Sequence, residues 1–152
     1  MAELPDELQA ALEADDAGEL SELLRRRRPE DFEALQSLLT IDPSVPADHR
    51  TKALYAVGLW GDPVVVPTII RLLPRLDERS RMSALSALGR LGTAEALAAV
   101  IEHADEPSPQ VRKIAVLALS RNATPEARRK LQDVAASDPV DWVRATAERH
   151  VD

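Results

Sequence analysis

Cysteine is absent from this chain of 152 residues. That excludes disulfide bonds and thiolate metal sites. Aromatic residues make up only 3%, so a core must be assembled from Leu, Ala, Val and Ile. There are five glycines, and they are too scattered to form a loop that cradles phosphates. No apolar run is long enough to span a membrane, and the N-terminus is acidic, unlike a signal peptide. A soluble, cytoplasmic protein is expected. Positive charge is not in excess either. The net charge is −7, which opposes non-specific binding to phosphate backbones. What is present is a 45% hydrophobic composition, enough for one globular domain with a real core. Arg outnumbers Lys 16 to 3, a bias that a GC-rich coding genome produces, so a bacterial source is expected.

The internal repeat organises the rest. The segments "ALYAVGLWGD" (53–62), "ALSALGRLGT" (84–93) and "AVLALSRNAT" (115–124) start 31 residues apart. Arg50, Arg81 and Arg112 stand three residues before each, and Arg144 follows after 32. A fixed period of this size indicates stacked supersecondary units. Each unit reads as two helices. The second ones are "VVVPTIIRLLPRL" (64–76), "AEALAAVIEHA" (94–104) and "PEARRKLQDVAA" (125–136).

Periodicity and punctuation support helices. Ala53, Leu54, Val57 and Trp60 share one face, as do Leu97, Val100, Ile101 and Ala104. Asp62-Pro63, Thr93 and Thr124-Pro125 read as N-caps, two of them followed by Pro at the first helical position. Gly61 and Gly92 suit helix ends. Gly58 and Gly89 lie inside the helices, where each costs about 1 kcal/mol against Ala. Close approach of a neighbouring helix is the expected compensation. The N-terminal third is less regular. Leu4, Leu8 and Leu12, then Leu20, Leu23 and Leu24, then Phe32, Leu35 and Leu39 mark three further helices. A proline-containing link, "TIDPSVPADH", joins them to the array.

The array resembles the HEAT-repeat family, in particular short bacterial HEAT-like repeats. The residues that carry the likeness are Glu106-Pro107 before Val111-Arg112, Asp138-Pro139 before Val143-Arg144, the Leu-Gly endings, and Pro67 in a second helix. The likeness covers about residues 48–152. His49 and Ser80 depart from it at the Val position, and Ser120, Asn122 and Ala123 depart from it in the third unit. The fold implied is all-α: a right-handed α-solenoid of stacked helix pairs. It forms a single domain in which residues 1–47 are a divergent helical cap and 48–152 are repeats ending in a half-repeat.

No catalytic constellation emerges. His49, His103 and His150 are scattered and read as surface histidines, since a metal site needs convergent ligands. No nucleophile elbow is present. Neither a cofactor nor catalysis is expected. Arg25–Arg28 follow a segment, residues 1–24, with eight Asp/Glu and no Lys/Arg. They read as a helix C-terminus neutralised by those acids. The resemblance gives Arg50, Arg81, Arg112 and Arg144 a structural role, pairing with acids between units. Asp48, Glu78, Glu106 and Asp138 are within reach.

The resemblance also implies that the helix following each ladder arginine lines the concave side. Its outward positions would be Thr51, Lys52, Tyr55, Ala56 and Leu59 in the first unit. Met82, Ser83, Ser86, Ala87 and Arg90 follow in the second, and Lys113, Ile114, Leu117, Ala118 and Arg121 in the third. The candidate binding residues are Lys52, Tyr55, Leu59, Met82, Ser86, Arg90, Lys113, Leu117 and Arg121. They form an apolar strip ringed by cations, with no acid, which suits an acidic peptide or protein surface. The role expected is adaptor, scaffold or regulatory subunit. Nucleic-acid binding, as in HEAT-like alkylpurine DNA glycosylases, is the alternative. A chromophore lyase, as among HEAT-like phycobilin lyases, is a more distant one.

Two positions carry structural expectations. Asn122 replaces the apolar Trp60 and Leu91 and should weaken the third unit as a buried polar group without a partner. Trp142 should pack inward, completing a polar end and a monomer. Facing outward, it would instead make the C-terminal end a docking surface, for a second copy among others.

Overall fold

A computed structural model describes residues 3–151. Asp152, where the half-repeat is expected to stop, lies outside the described residues. Ten α-helices and no strand occur among the described residues. They are α1 (Asp6–Glu13), α2 (Gly18–Arg25), α3 (Pro29–Ser37), α4 (Ala47–Trp60), α5 (Val66–Leu72), α6 (Glu78–Leu91), α7 (Ala94–His103), α8 (Pro109–Ser120), α9 (Pro125–Ser137) and α10 (Asp141–Glu148). Helices α4, α6, α8 and α10 pack in succession as one layer, and α5, α7 and α9 form the second. This is a solenoid of helix pairs.

The side chains expected to start helices do so. Asp62, Thr93 and Thr124 accept hydrogen bonds from the N–H groups of Val64, Ala96 and Ala127, and Asp77 and Ser108 add caps to α6 and α8. Such caps satisfy donors that the first helical turn leaves free. Gly61 and Gly92 end α4 and α6 in the left-handed region, at φ 83° and 64°.

The second helix of the first unit differs from expectation. It is not continuous over 64–76. The short α-helix α5 is flanked by 3-10 turns at Pro63–Val65 and Leu73–Arg75. Prolines explain the breaks. Pro67 sits in the first turn of α5, where its missing N–H costs nothing, and Pro74 lies where the helix stops.

The interior glycines have the cause anticipated for them. A Cβ on Gly58 would lie 2.7 Å from Ala87 Cα, and one on Gly89 would lie 2.7 Å from Ala118 Cα. Ala56, Ala87 and Ala118 are buried. Ala87 and Ala118 thus form contacts between neighbouring helices, and none of the three faces outward as expected. For Ala87 and Ala118 the reason is one of register: Gly58 and Gly89 on the preceding helix let the alanine backbone sink into the seam.

Asn122 is also corrected. Its side-chain amide donates to Ala118 O and Gly89 O, both at 3.0 Å. Helix α8 ends without a left-handed glycine, and Asn122 takes up a free carbonyl there while tying α8 to α6. The cause given for a weak third unit therefore disappears. Asn122→Ala is expected to lower the unfolding free energy by about 1–3 kcal/mol through the carbonyls left unpaired. Urea unfolding reads this, and an unchanged midpoint would show that the two bonds contribute nothing.

The N-terminal helices fold onto the array. Helices α1, α2 and α3 all contact α4. Three of the four consecutive arginines, Arg26, Arg27 and Arg28, tie separate elements together. Arg25 pairs with Glu22, and Arg26 and Arg28 both reach Glu7. Arg28 also pairs with the fully buried Asp31. Arg27, at φ 50°, donates to Trp60 O and lies 4.7 Å from the Trp60 ring centroid. Phe32 stacks on the same ring at 5.0 Å. A left-handed non-glycine residue costs about 1–2 kcal/mol, and here the cation–π contact and the hydrogen bond offset it.

Candidate functional site

The ladder arginines seal turns. Arg81 donates to Leu73 O and Leu76 O, and Arg112 to Glu106 O and Pro107 O. Arg144 donates to Asp138 O, and Arg50 to Thr40 O. Each turn preceding a layer helix has carbonyls that no helix satisfies, and the guanidinium fork reaches them. Carboxylates of the following unit complete two rungs: Arg81 with Glu106 at 3.4 Å, and Arg112 with Asp138 at 2.8 Å. Arg144 pairs with Asp141 of its own helix. Asp48 instead meets Lys52 and Arg79, and Glu78 forms no ion pair among the described residues.

Several of these carboxyls titrate below the usual range. Burial raises the Asp138 carboxyl, and the Arg112 and Val140 hydrogen bonds outweigh that. The Ser80 N–H holds Asp77 low, and the Lys52 hydrogen bond does so for Asp48. A depressed folded value stabilises above the unfolded value of about 3.9 and is lost as pH falls through the folded one. The urea midpoint should therefore hold from neutral pH down to about pH 4 and fall below it. A midpoint that rises on acidification would contradict this assignment.

The outward positions of the layer behave in three ways. Lys52 is committed: its ammonium donates to Leu12 O and Ala14 O at 2.6 and 2.9 Å. It caps the C-terminus of α1 and is not a free binding cation. Sequence reasoning missed this because the docking of α1 on α4 leaves no local pattern. Tyr55, Leu59, Met82, Ser86, Ile114 and Leu117 are half-buried and accessible. Arg90, Lys113 and Arg121 are exposed, and among the described residues none has a carboxylate within ion-pair distance.

Two of these cations lie against aromatic rings. Arg90 Cζ is 6.0 Å from the Tyr55 ring centroid, and Lys113 Nζ is 5.8 Å from that of Trp142. Trp142 is therefore not packed inward as expected. It is 44% exposed and belongs to the same face, so the ground for expecting a monomer falls away. The register contained this information. The position two before each ladder arginine is Asp48, Arg79, Gln110 and Trp142 in turn, polar in the first three units.

Helices α1 and α2 form a wall at one end of the face. Tyr55 borders two clefts there. One, of about 290 Å³, is lined by Asp15, Asp16, Leu20, Thr51, Lys52 and Ser83 among others. The other, of about 340 Å³, is lined by Ser21, Leu24, Arg25, Arg27 and Leu59. The face thus has acids at its edge, Asp15 and Asp16, where none was expected. They come from the α1–α2 turn, outside the repeat register.

No group of three or more His, Cys, Asp or Glu among the described residues is placed to hold a metal ion. His103 differs from a free surface histidine. Its Nδ1 is 2.9 Å from Ala99 O and its Nε2 is 3.5 Å from Glu106, so the ring is seated beside the rung that Glu106 makes with Arg81. No helix among the described residues is long and apolar enough to cross a membrane.

The arginine rungs, the glycine seams and the paired layers recur with the sequence period. The family model described as HEAT repeats matches residues 32–108 and again 75–151. The chain belongs to the HEAT-repeat family. The first match starts at Phe32, inside α3, so part of the N-terminal third expected to be divergent belongs to the repeat array. Helices α1 and α2 lie outside both matches and supply the wall. No curated protein matches the chain. HEAT repeats commonly serve as protein-interaction scaffolds, and the face formed by α4, α6, α8 and α10 is the candidate surface here.

Proposed function

We propose that this HEAT-repeat protein is a non-catalytic interaction module, an adaptor or scaffold, whose exposed α4/α6/α8/α10 face binds an acidic segment of a protein partner. One observation carries the reading. Arg90, Lys113 and Arg121 have no carboxylate partner among the described residues, yet they gather on one face of a chain with net charge −7. Arg25, Arg26 and Arg28 are neutralised internally. Arg71, Arg75, Arg128 and Arg149 also lack an ion pair among the described residues, so what marks this face is that its cations stand beside aromatic and apolar side chains. Leaving three free on a face that also offers Tyr55, Met82, Leu117 and Trp142 suits a ligand with carboxylates and apolar side chains. The apolar share of the face favours a peptide over a nucleic-acid strand, whose backbone offers phosphates but no apolar side chains to meet Met82 and Leu117.

The test is a titration of the full chain with a glutamate-rich peptide, followed by tryptophan fluorescence, since Trp142 is exposed beside Lys113. Saturable binding is expected, weakened by salt, and reduced about tenfold or more by Arg90→Glu and by Arg121→Glu. Both positions are exposed, so helicity should not change. Absence of binding at low salt, or indifference to both charge reversals, would overturn the proposal. Tighter binding of a single-stranded oligonucleotide would favour the nucleic-acid reading.

A further inference from the structure

The acidic-segment reading can be carried to the spacing of the segment, because the face is periodic. Gly58 meets Ala87 and Gly89 meets Ala118 in the same way, each pair 29 residues apart. The step from α4 to α6 is therefore repeated from α6 to α8. Nine residues after each ladder arginine, the layer presents Leu59, Arg90 and Arg121 in turn. These three positions form a row across the helices, one station per helix. The first station opens on the cleft of about 340 Å³ with Leu24 and Tyr55. The next two are guanidinium groups with no carboxylate partner among the described residues.

Packed helices lie about 8–10 Å apart, depending on the side chains at the contact. An extended ligand must match that step with side chains on one of its faces. A β-strand repeats its face every two residues, about 7 Å. A polyproline-type helix repeats it every three, about 9 Å. An α-helical ligand repeats near this distance only at seven residues, about 10.5 Å. The three-residue repeat fits the row best.

We propose that the face selects an extended, polyproline-like segment with an apolar residue followed at every third position by a carboxylate. The apolar residue enters the cleft at Leu24, Tyr55 and Leu59. The carboxylates meet Arg90 and Arg121. The Arg90 side chain is placed for this. Its Cδ passes 3.6 Å from where a Gly58 Cβ would stand, so the stem lies along α4 and the head reaches the side of Tyr55.

The experiment compares labelled synthetic peptides with the same leucine and glutamate content by fluorescence anisotropy on the full chain. One carries Leu, Glu and Glu at positions 1, 4 and 7 in a proline- and serine-containing background. A second places the glutamates at 3 and 5, a third at 4 and 5, and a fourth spaces them by seven residues in a helix-forming background. The first should bind about tenfold tighter than the others. Arg121→Gln should bring the 4,7 and 4,5 peptides within about twofold of each other, and Leu59→Asp should remove the benefit of the leucine. Equal binding of all four, or preference for another spacing, would overturn this inference while leaving the acidic-segment reading intact. Binding by none would remove both.

Discussion

Asp138→Ala should lower the unfolding free energy by about 3–5 kcal/mol, a large share of what a domain of this size has. The Asp138 side chain is 4% exposed and accepts a fork from Arg112 at 2.8 and 3.0 Å. It also accepts from Val140 N, in the turn where α10 begins. The substitution leaves a guanidinium that is only 9% exposed without its carboxylate, held by the Glu106 and Pro107 carbonyls alone. It also frees the N–H that fixes how α10 enters the layer. Removing both charges, as in Arg112→Met with Asp138→Leu, should cost clearly less than Asp138→Ala alone, because no buried charge is then left unpaired. Urea unfolding of the two variants separates the cases. A double variant as unstable as the single would show that packing, not charge, sets the loss.

Gly89→Ala should destabilise by about 1–3 kcal/mol, although alanine is the better helix former by about 1 kcal/mol. The new methyl would lie 2.6 Å from Ala118 Cβ and 2.9 Å from Ala118 O. Backbone cannot yield as a flexible side chain does, so α6 and α8 must separate along their seam. Gly61→Ala is the control. Nothing lies within 4 Å of its Cβ position, and only its φ of 83° opposes a side chain. That cost is about 1–2 kcal/mol and local. The two variants should therefore differ in binding, since only Gly89→Ala alters the spacing of the row. A Gly89→Ala protein of full stability would mean the seam is looser than these distances state.

What the sequence revealed and what it concealed follow from how locally each feature is encoded. The period, the caps at Asp62, Thr93 and Thr124, and the reason for Gly58 and Gly89 were legible because each rests on residues a few positions apart or on exact repetition. The buried Ala87 and Ala118 differ from expectation because a residue that looks outward on a single helix can lie in a seam between two. Lys52 and the acids Asp15 and Asp16 depend on α1 and α2 folding over α4, a contact outside the repeat. Asn122 was misjudged because counting an apolar position predicts burial but not the carbonyls waiting there. Trp142 could have been placed by comparing its register with Asp48, Arg79 and Gln110.

The most direct test of the acidic-segment account follows the arginine side chains themselves. In a nuclear magnetic resonance titration of the full chain with the 1,4,7 peptide, the Nε–Hε resonances of Arg90 and Arg121 should shift together and saturate. Those of Arg26, Arg28 and Arg112, held by Glu7, Asp31 and Asp138, should stay in place. Shifts confined to Arg25–Arg28, or no shift at Arg90 and Arg121 on saturation, would contradict the account.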